Sequence, residues 1–213
     1  MFHTKKGESP RLLLLSGTQG DEYGVIESLK KSVLLYSSQL PSYIFVPEVS
    51  PSAVAQKTRK NSEGFDINRY FTQHSPSKEV QEAIDFLSQF RFDVLLNFHE
   101  DYERKQSSYI YDSHHFSDEE YERWITFNEQ ASLPLFTGID DESDPALSNY
   151  IQDGYLGTKD EHRTYDSGFF QDWALTNNVV KRSFIIEVPG AAPQAEKDRI
   201  TAVLFSFFLQ HYV

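Results

Sequence analysis

Four consecutive leucines, Leu12 to Leu15, follow a charged amino-terminal stretch and lead into Ser16-Gly17-Thr18-Gln19-Gly20. An apolar run this short, closed by a glycine-bearing turn, predicts a strand buried on both faces. From Asp21 to about Ser37 the period changes: Val25, Leu29, Val33 and Tyr36 recur at helical spacing and predict a helix. Tyr43 to Val49 reads as a second strand, interrupted late by Pro47, and Ser50 to Ser75 as an irregular polar loop long enough to be functional. Ser77 opens a helix to Phe90, marked by Val80, Ile84, Leu87 and Phe90, and Phe92 to Phe98 is again a strand. Tyr109 and Tyr111 fall on a further strand, Ser117 to about Ala131 on a helix, and residues 134–166 on short strands or loops. Ser167 to Asn177 is predicted helical and Ser183 to Val188 a strand. Pro193 to Tyr212 is an amphipathic helix with Ile200, Val203, Leu204, Phe207 and Phe208 facing inward.

Alternating strands and helices, with no repeat and no linker, predict one α/β domain spanning residues 1–213. Its central sheet is mostly parallel or mixed, with helices on both faces. A chain of 213 residues with 17 Phe and 12 Tyr is long and apolar enough for a packed core. A net charge of −12 disfavours nucleic acid as a partner. The chain has 0 cysteines, so a metal would bind through His, carboxylate, amide or backbone oxygen. No apolar run reaches the roughly 20 residues that span a bilayer. The start Met1-Phe2-His3-Thr4-Lys5-Lys6-Gly7 is too polar for a signal peptide, so a cytoplasmic protein without membrane attachment is expected.

In open α/β sheets, ligands bind beyond the carboxyl ends of the strands. The end of the first strand carries Gln19 and Glu22, that of the Phe92 strand carries His99, Glu100 and Asp101, and that of the Ser183 strand carries Glu187. Gln19 and Glu22, three apart at a helix start, are expected on one face, able to converge on one ion with His99. Glu187 is then free to act as general base. Taken singly, each has a plainer reading: Glu22 a solvent-facing helix carboxylate near the dipole, His99 a hydrogen-bonded core histidine, Glu187 a polar strand end. His114 and His115, adjacent in sequence, read as surface loop. His74 follows the loop and is given no role, and Tyr109 and Tyr111 suit core packing or a hydrogen bond into the site.

Gly17-Thr18-Gln19-Gly20-Asp21-Glu22 resembles the first metal motif of the zinc carboxypeptidase (carboxypeptidase A-like) superfamily, usually His-Gly-Asp/Asn-Glu. Arg59 followed by Gly64-Phe65-Asp66-Ile67-Asn68-Arg69-Tyr70-Phe71 is similar to its substrate-binding signature. Asn97-Phe98-His99-Glu100-Asp101 resembles the strand bearing the second metal histidine, and Phe184-Ile185-Ile186-Glu187-Val188-Pro189 the strand bearing the catalytic glutamate. The four segments occur in the family's order. The resemblance implies that Gln19, Glu22 and His99 hold Zn2+ with a fourth position left for water. It further implies that Glu187 moves the proton, that Arg59 stabilises the oxyanion, and that Asn68 and Arg69 bind the substrate's terminal carboxylate.

Gln19 departs from the family's pattern. An amide oxygen replaces a nitrogen donor, a weaker ligand for zinc. Three outcomes follow: zinc held through the amide oxygen, as certain peptidoglycan-trimming members resemble; another metal; or a degenerate site in a binding protein. The leading expectation is a carboxypeptidase acting on short peptides, cell-wall-derived ones included. A deacylase of N-acyl amino acids, of the succinylglutamate desuccinylase/aspartoacylase type, shares the Asn-Arg feature and is the second. Glu100 and Asp101 are expected to repel anionic substrates.

Overall fold

The computed structural model describes residues 2–144, 147–158 and 167–213. The elements are β1 (Thr4–Lys6), β2 (Leu12–Leu15), α1 (Tyr23–Leu35), β3 (Tyr43–Val46), α2 (Pro51–Gln56), a 3-10 turn (Ile67–Arg69), α3 (Lys78–Leu87), β4 (Phe92–Asp101), β5 (Tyr109–Asp112), α4 (Asp118–Gln130), β6 (Gly138–Ile139), β7 (Tyr150–Ile151), β8 (Tyr155–Gly157), α5 (Phe170–Thr176), β9 (Val180–Pro189) and α6 (Gln194–His211).

A seven-stranded sheet runs in the order β1-β3-β2-β4-β9-β5-β8. Its centre, β3-β2-β4-β9, is parallel, while β1 is antiparallel to β3 and β5 antiparallel to β9. Because strand side chains alternate, the four leucines of β2 divide between two cores. Leu12 and Leu14 pack with Val25, Leu29, Phe98, Trp124, Ile186 and Phe208, on the face covered by α1, α4 and α6. Leu13 and Leu15 pack with Ile44, Val80, Leu87, Leu95, Phe170 and Trp173, on the face covered by α3 and α5. β4 pairs with β2 through Leu15 opposite Asn97, so Phe98 to Asp101 extend past the end of β2, where residues 16–22 turn. Phe98, Ile186 and Val188 face the first core. Alternation therefore turns Asn97, His99, Asp101 and Glu187 to the opposite side.

The elements differ from the sequence expectation in several places, β1 and the end of β3 at Val46 among them. Residues 50–75, read as loop, contain α2 and the 3-10 turn. The six-residue α2 buries only Ala53, and its amino end is capped from outside: Glu79 Oε1 accepts from Ser52 N at 2.9 Å and Oε2 from Ser50 Oγ at 2.6 Å. Ser77 precedes α3 as expected, but makes no side-chain cap. Glu63 Oε2 takes that place, accepting from Lys78 N at 2.9 Å and Ser77 Oγ at 3.1 Å. β4 and β9 both run further than their apolar centres, to Asp101 and Pro189, so the polar residues expected beyond the strands lie on their last turns of pleat. Finally, α1 begins at Tyr23, leaving Glu22 at the cap and Gln19 in the preceding bend, not on a shared helical face. Of the segment 134–166, residues 145–146 and 159–166 lie outside the described residues. Among the described residues no helix is long and apolar enough to cross a membrane.

Candidate active site

Gly17 (φ +65°) turns the chain at the end of β2, and Gly20 then lies flat on α2. A Cβ at Gly20 would sit 2.0 Å from the Ala53 carbonyl, so only glycine permits this approach. Gly20 N also donates to Thr58 O at 3.0 Å. The pressed loop carries Gln19 and Glu22 over the end of β4. There Glu22 Oε2 and His99 Nδ1 are 2.8 Å apart, and both residues are buried. Across the ladder His99 is the direct partner of Glu187, and Glu187 in turn faces Tyr109.

Asp66 ties the second half of the site to the first. Its Oδ1 accepts from Gln19 Nε2 at 3.0 Å and from Asn68 N at 3.2 Å, and its Oδ2 accepts from Arg59 Nε at 2.9 Å. An ionised carboxylate only accepts, so the nitrogen end of the Gln19 amide is fixed on Asp66 and its oxygen is turned away. Asn68, buried in the 3-10 turn, accepts from Phe170 N through Oδ1 at 3.2 Å, which leaves the amide nitrogen as its donor. Arg69 lies over the Phe169 ring, 4.3 Å from its centroid, and reaches Asp144 at 3.3 Å.

All seven candidate residues, Gln19, Glu22, Arg59, Asn68, Arg69, His99 and Glu187, line one cleft of about 1120 Å³. Burial lowers the His99 imidazole's pKa, but the Glu22 carboxylate outweighs it and Glu187 adds to it, so the group is raised to about 9. Burial raises Glu187 to about 8. The positive His99 opposes that rise, and Glu22, Asp101 and Asp140 reinforce it.

No family model and no curated protein matches the sequence. Among solved structures, a candidate metallopeptidase from Shewanella denitrificans OS217 superposes with TM-score 0.72 at 20% identity, covering 97% of this chain and 76% of that one. A metallo-carboxypeptidase from Burkholderia cenocepacia gives 0.64 at 14%, covering 97% and 58%. The murein-tripeptide amidase MpaA from Escherichia coli O157 gives 0.57 at 17%, covering 97% and 84%. The chain has the zinc carboxypeptidase-like fold.

Within this carboxypeptidase-like fold the donors that meet are one carboxylate, one imidazole and one amide. Among the described residues no group of three or more His, Asp or Glu side chains is placed to hold an ion, and Gln19 is an amide lining the same cleft as Glu22 and His99. The set fits a divalent cation. Its two charged-type donors are already 2.8 Å apart, near the roughly 3.3 Å that separates two ligands in a tetrahedral zinc site, and the amide oxygen is the end of Gln19 that Asp66 leaves free.

Two features of the cleft were not assigned from sequence. One is the role of Asp66, whose partners are up to 47 residues away. Its place two residues before Asn68, accepting that residue's backbone N–H as an Asx turn does, is the local signal. The other is an acidic wall. Tyr109 OH contacts Asp101 Oδ2 at 2.9 Å and Asp140 Oδ1 at 2.6 Å, and Tyr111 OH bonds Asp140 Oδ2. Burial raises Asp140, and burial with the surrounding carboxylates raises both tyrosines.

Glu100 and Asp101, expected to repel anionic substrates, both line the cleft, but each has a cationic partner. Glu100 turns to the other face of the sheet, where Lys197 Nζ donates to its Oε2 at 3.1 Å, and Asp101 pairs with Arg104 at 3.3 Å. His74 and His114 are exposed and line no part of the cleft; His115, also exposed, reaches its rim.

Proposed function

We propose that the chain is a zinc-dependent carboxypeptidase that hydrolyses the C-terminal amide bond of short peptides, cell-wall-derived ones included. The observation that carries this reading is the convergence of Glu22 and His99 at 2.8 Å beside Glu187, in one cleft with Asn68 and Arg69.

Gln19, Glu22 and His99 would hold the ion. When bound, zinc supplies Lewis acidity toward a carbonyl and makes water acidic near neutral pH. Arg69, held over Phe169, presents its guanidinium to the substrate's terminal carboxylate, and the Asn68 amide nitrogen donates alongside it. Arg59, fixed through Nε by Asp66, has its remaining N–H groups for the oxyanion that develops on the scissile carbonyl. Glu187, which a cation beside it would hold ionised, would accept a proton from the attacking water and pass it to the departing amine nitrogen.

The test is turnover of dipeptides and of N-acyl amino acids with added zinc, compared with Glu187→Gln. Release of the C-terminal amino acid from dipeptides, lost in Glu187→Gln, supports the proposal. Turnover confined to N-acyl amino acids moves the assignment to the deacylase. Zinc binding without turnover of either class points to a binding protein.

A further inference from the structure

His99 turns Nδ1 to Glu22, so Nδ1 is the atom that would meet an ion held with Glu22, and Nε2 is the ring's other, buried nitrogen. A ligating imidazole ordinarily gives its second N–H to a carboxylate, a carbonyl or a water, which fixes the ring and raises its basicity. His99 Nε2 is buried and has no protein partner. Asn97, two residues earlier on the same face of β4, has 0% of its surface exposed, and both its amide nitrogen and its amide oxygen lack partners. Thr18, on the loop leaving neighbouring β2, has a buried hydroxyl in the same condition. Buried polar atoms left unpaired are destabilising, so with no partner for Asn97 an apolar residue at position 97 would make a more stable strand. Asn97 is explained if its polar atoms serve another group.

We propose that Asn97 is the outer partner of His99, joined to Nε2–H through one buried water that also meets Thr18. Same-face neighbours on a strand stand roughly 7 Å apart at their bases. Two short polar side chains and a water fill that gap, and a buried water is stable with two to four such partners. Asn97 Oδ1 accepts from the water, the water accepts from Nε2–H, and the His99 ring is held with Nδ1 toward the ion. Asn97 is thus a positioning residue that touches neither substrate nor metal. The inference rests on the metal reading of Gln19, Glu22 and His99.

The test pairs Asn97→Leu with Asn97→Asp in the full chain. It measures zinc affinity by chelator competition, melting temperature without metal, and the imidazole 15N spectrum of His99. Asn97→Leu is expected to melt no lower than the wild type, yet to bind zinc about 10–100-fold more weakly, the range found for outer-shell partners. Asn97→Asp, which restores an acceptor, is expected to recover affinity to the wild-type level or beyond. The Nε2–H signal is expected to exchange slowly in the wild type and fast in Asn97→Leu, with or without zinc. Zinc affinity in Asn97→Leu within about twofold of the wild type overturns the proposal and leaves the metal site intact. So does weaker binding that tracks a lower melting temperature and is not recovered by Asn97→Asp. A wild type that takes up no zinc removes the metal reading, and this proposal with it.

Discussion

Asp66 Oδ1 accepts from Gln19 Nε2 at 3.0 Å, and this contact turns the amide oxygen away from Asp66, the end that would meet an ion in the proposed function. A carboxylate behind a histidine ligand fixes its tautomer; here the same carboxylate fixes an amide's orientation. Asp66→Ala frees the amide to rotate and also releases Arg59 and the Asn68 turn. Zinc affinity is expected to fall about 10–100-fold, with kcat/KM falling further because Arg59 is lost as well. Gln19→His restores a nitrogen donor that Asp66 can hold through its second N–H, and is expected to raise zinc affinity in chelator competition. An unchanged or weaker affinity in Gln19→His would show that Gln19 is not a ligand.

His99 and Glu187 give the metal-free protein a definite pH dependence. Burial pulls His99 down, but Glu22 raises it from 6.5 to about 9, so the stability this pair contributes is present below 6.5 and lost as pH rises through about 9. Burial raises Glu187 from 4.5 to about 8, so the folded state holds a proton there that the unfolded chain has released, and stability again declines as pH rises. Both effects have one sign. The melting temperature of the metal-free protein is expected to drop steadily from about pH 6 to about pH 9. Saturating zinc, which displaces the His99 proton, is expected to flatten that slope. A metal-free melting temperature that rises over the same range contradicts the placement of these two groups.

Arg69 is assigned to the substrate's carboxylate, and its stacking on Phe169 holds the guanidinium plane. Arg69→Lys keeps the charge and loses the planar fork. kcat/KM for peptides with a free C-terminal carboxylate is expected to fall about 10–100-fold, from the loss of charge-assisted hydrogen bonds of about 1.5–3 kcal/mol. The same peptides with an amidated C-terminus are expected to be poor substrates for the wild type and to change little. Equal losses for both forms would place Arg69 elsewhere in the chemistry.

Gly20 lies against the backbone of Ala53 and Val54 so closely that any side chain must displace α2 or the loop that carries Gln19 and Glu22. Gly20→Ala is expected to cost about 1–3 kcal/mol, read as a lowered melting temperature, and to weaken zinc binding because Gln19 and Glu22 move with the loop. Full stability and full affinity in this variant would mean that the loop does not need its close seat on α2.

Much of this arrangement is legible in the sequence because hydrophobic periodicity fixes the central elements. Leu12–Leu15, the stripe of Val25, Leu29 and Val33, and Ile200, Leu204, Phe207 and Phe208 of α6 lie where their spacing puts them, while Val203 is half-buried and Phe205 joins the core instead. Once the parallel strands are placed, their carboxyl ends bring Glu22, His99 and Glu187 to one edge. Other features depend on partners remote in sequence. β1 is three exposed residues, Thr4–Lys6, with no apolar pattern, and forms by pairing along β3. α2 is capped by Glu79, 27 residues from Ser52. Asp140 joins the cleft through Tyr109 and Tyr111 across 31 and 29 residues. The pairing of Glu100 with Lys197 depends on strand alternation turning the two neighbours His99 and Glu100 to opposite faces, which a string of polar residues at a strand end does not reveal.

The most direct measurement is a crystal structure grown with zinc, with diffraction recorded on both sides of the zinc absorption edge. The expected result is one anomalous peak per chain, bonded to Glu22 and to His99 Nδ1 at about 2.0–2.2 Å with the Gln19 amide oxygen as third protein ligand. A peak bound by other residues, or zinc-saturated crystals in which Glu22 and His99 remain in direct contact with no ion between them, contradicts it.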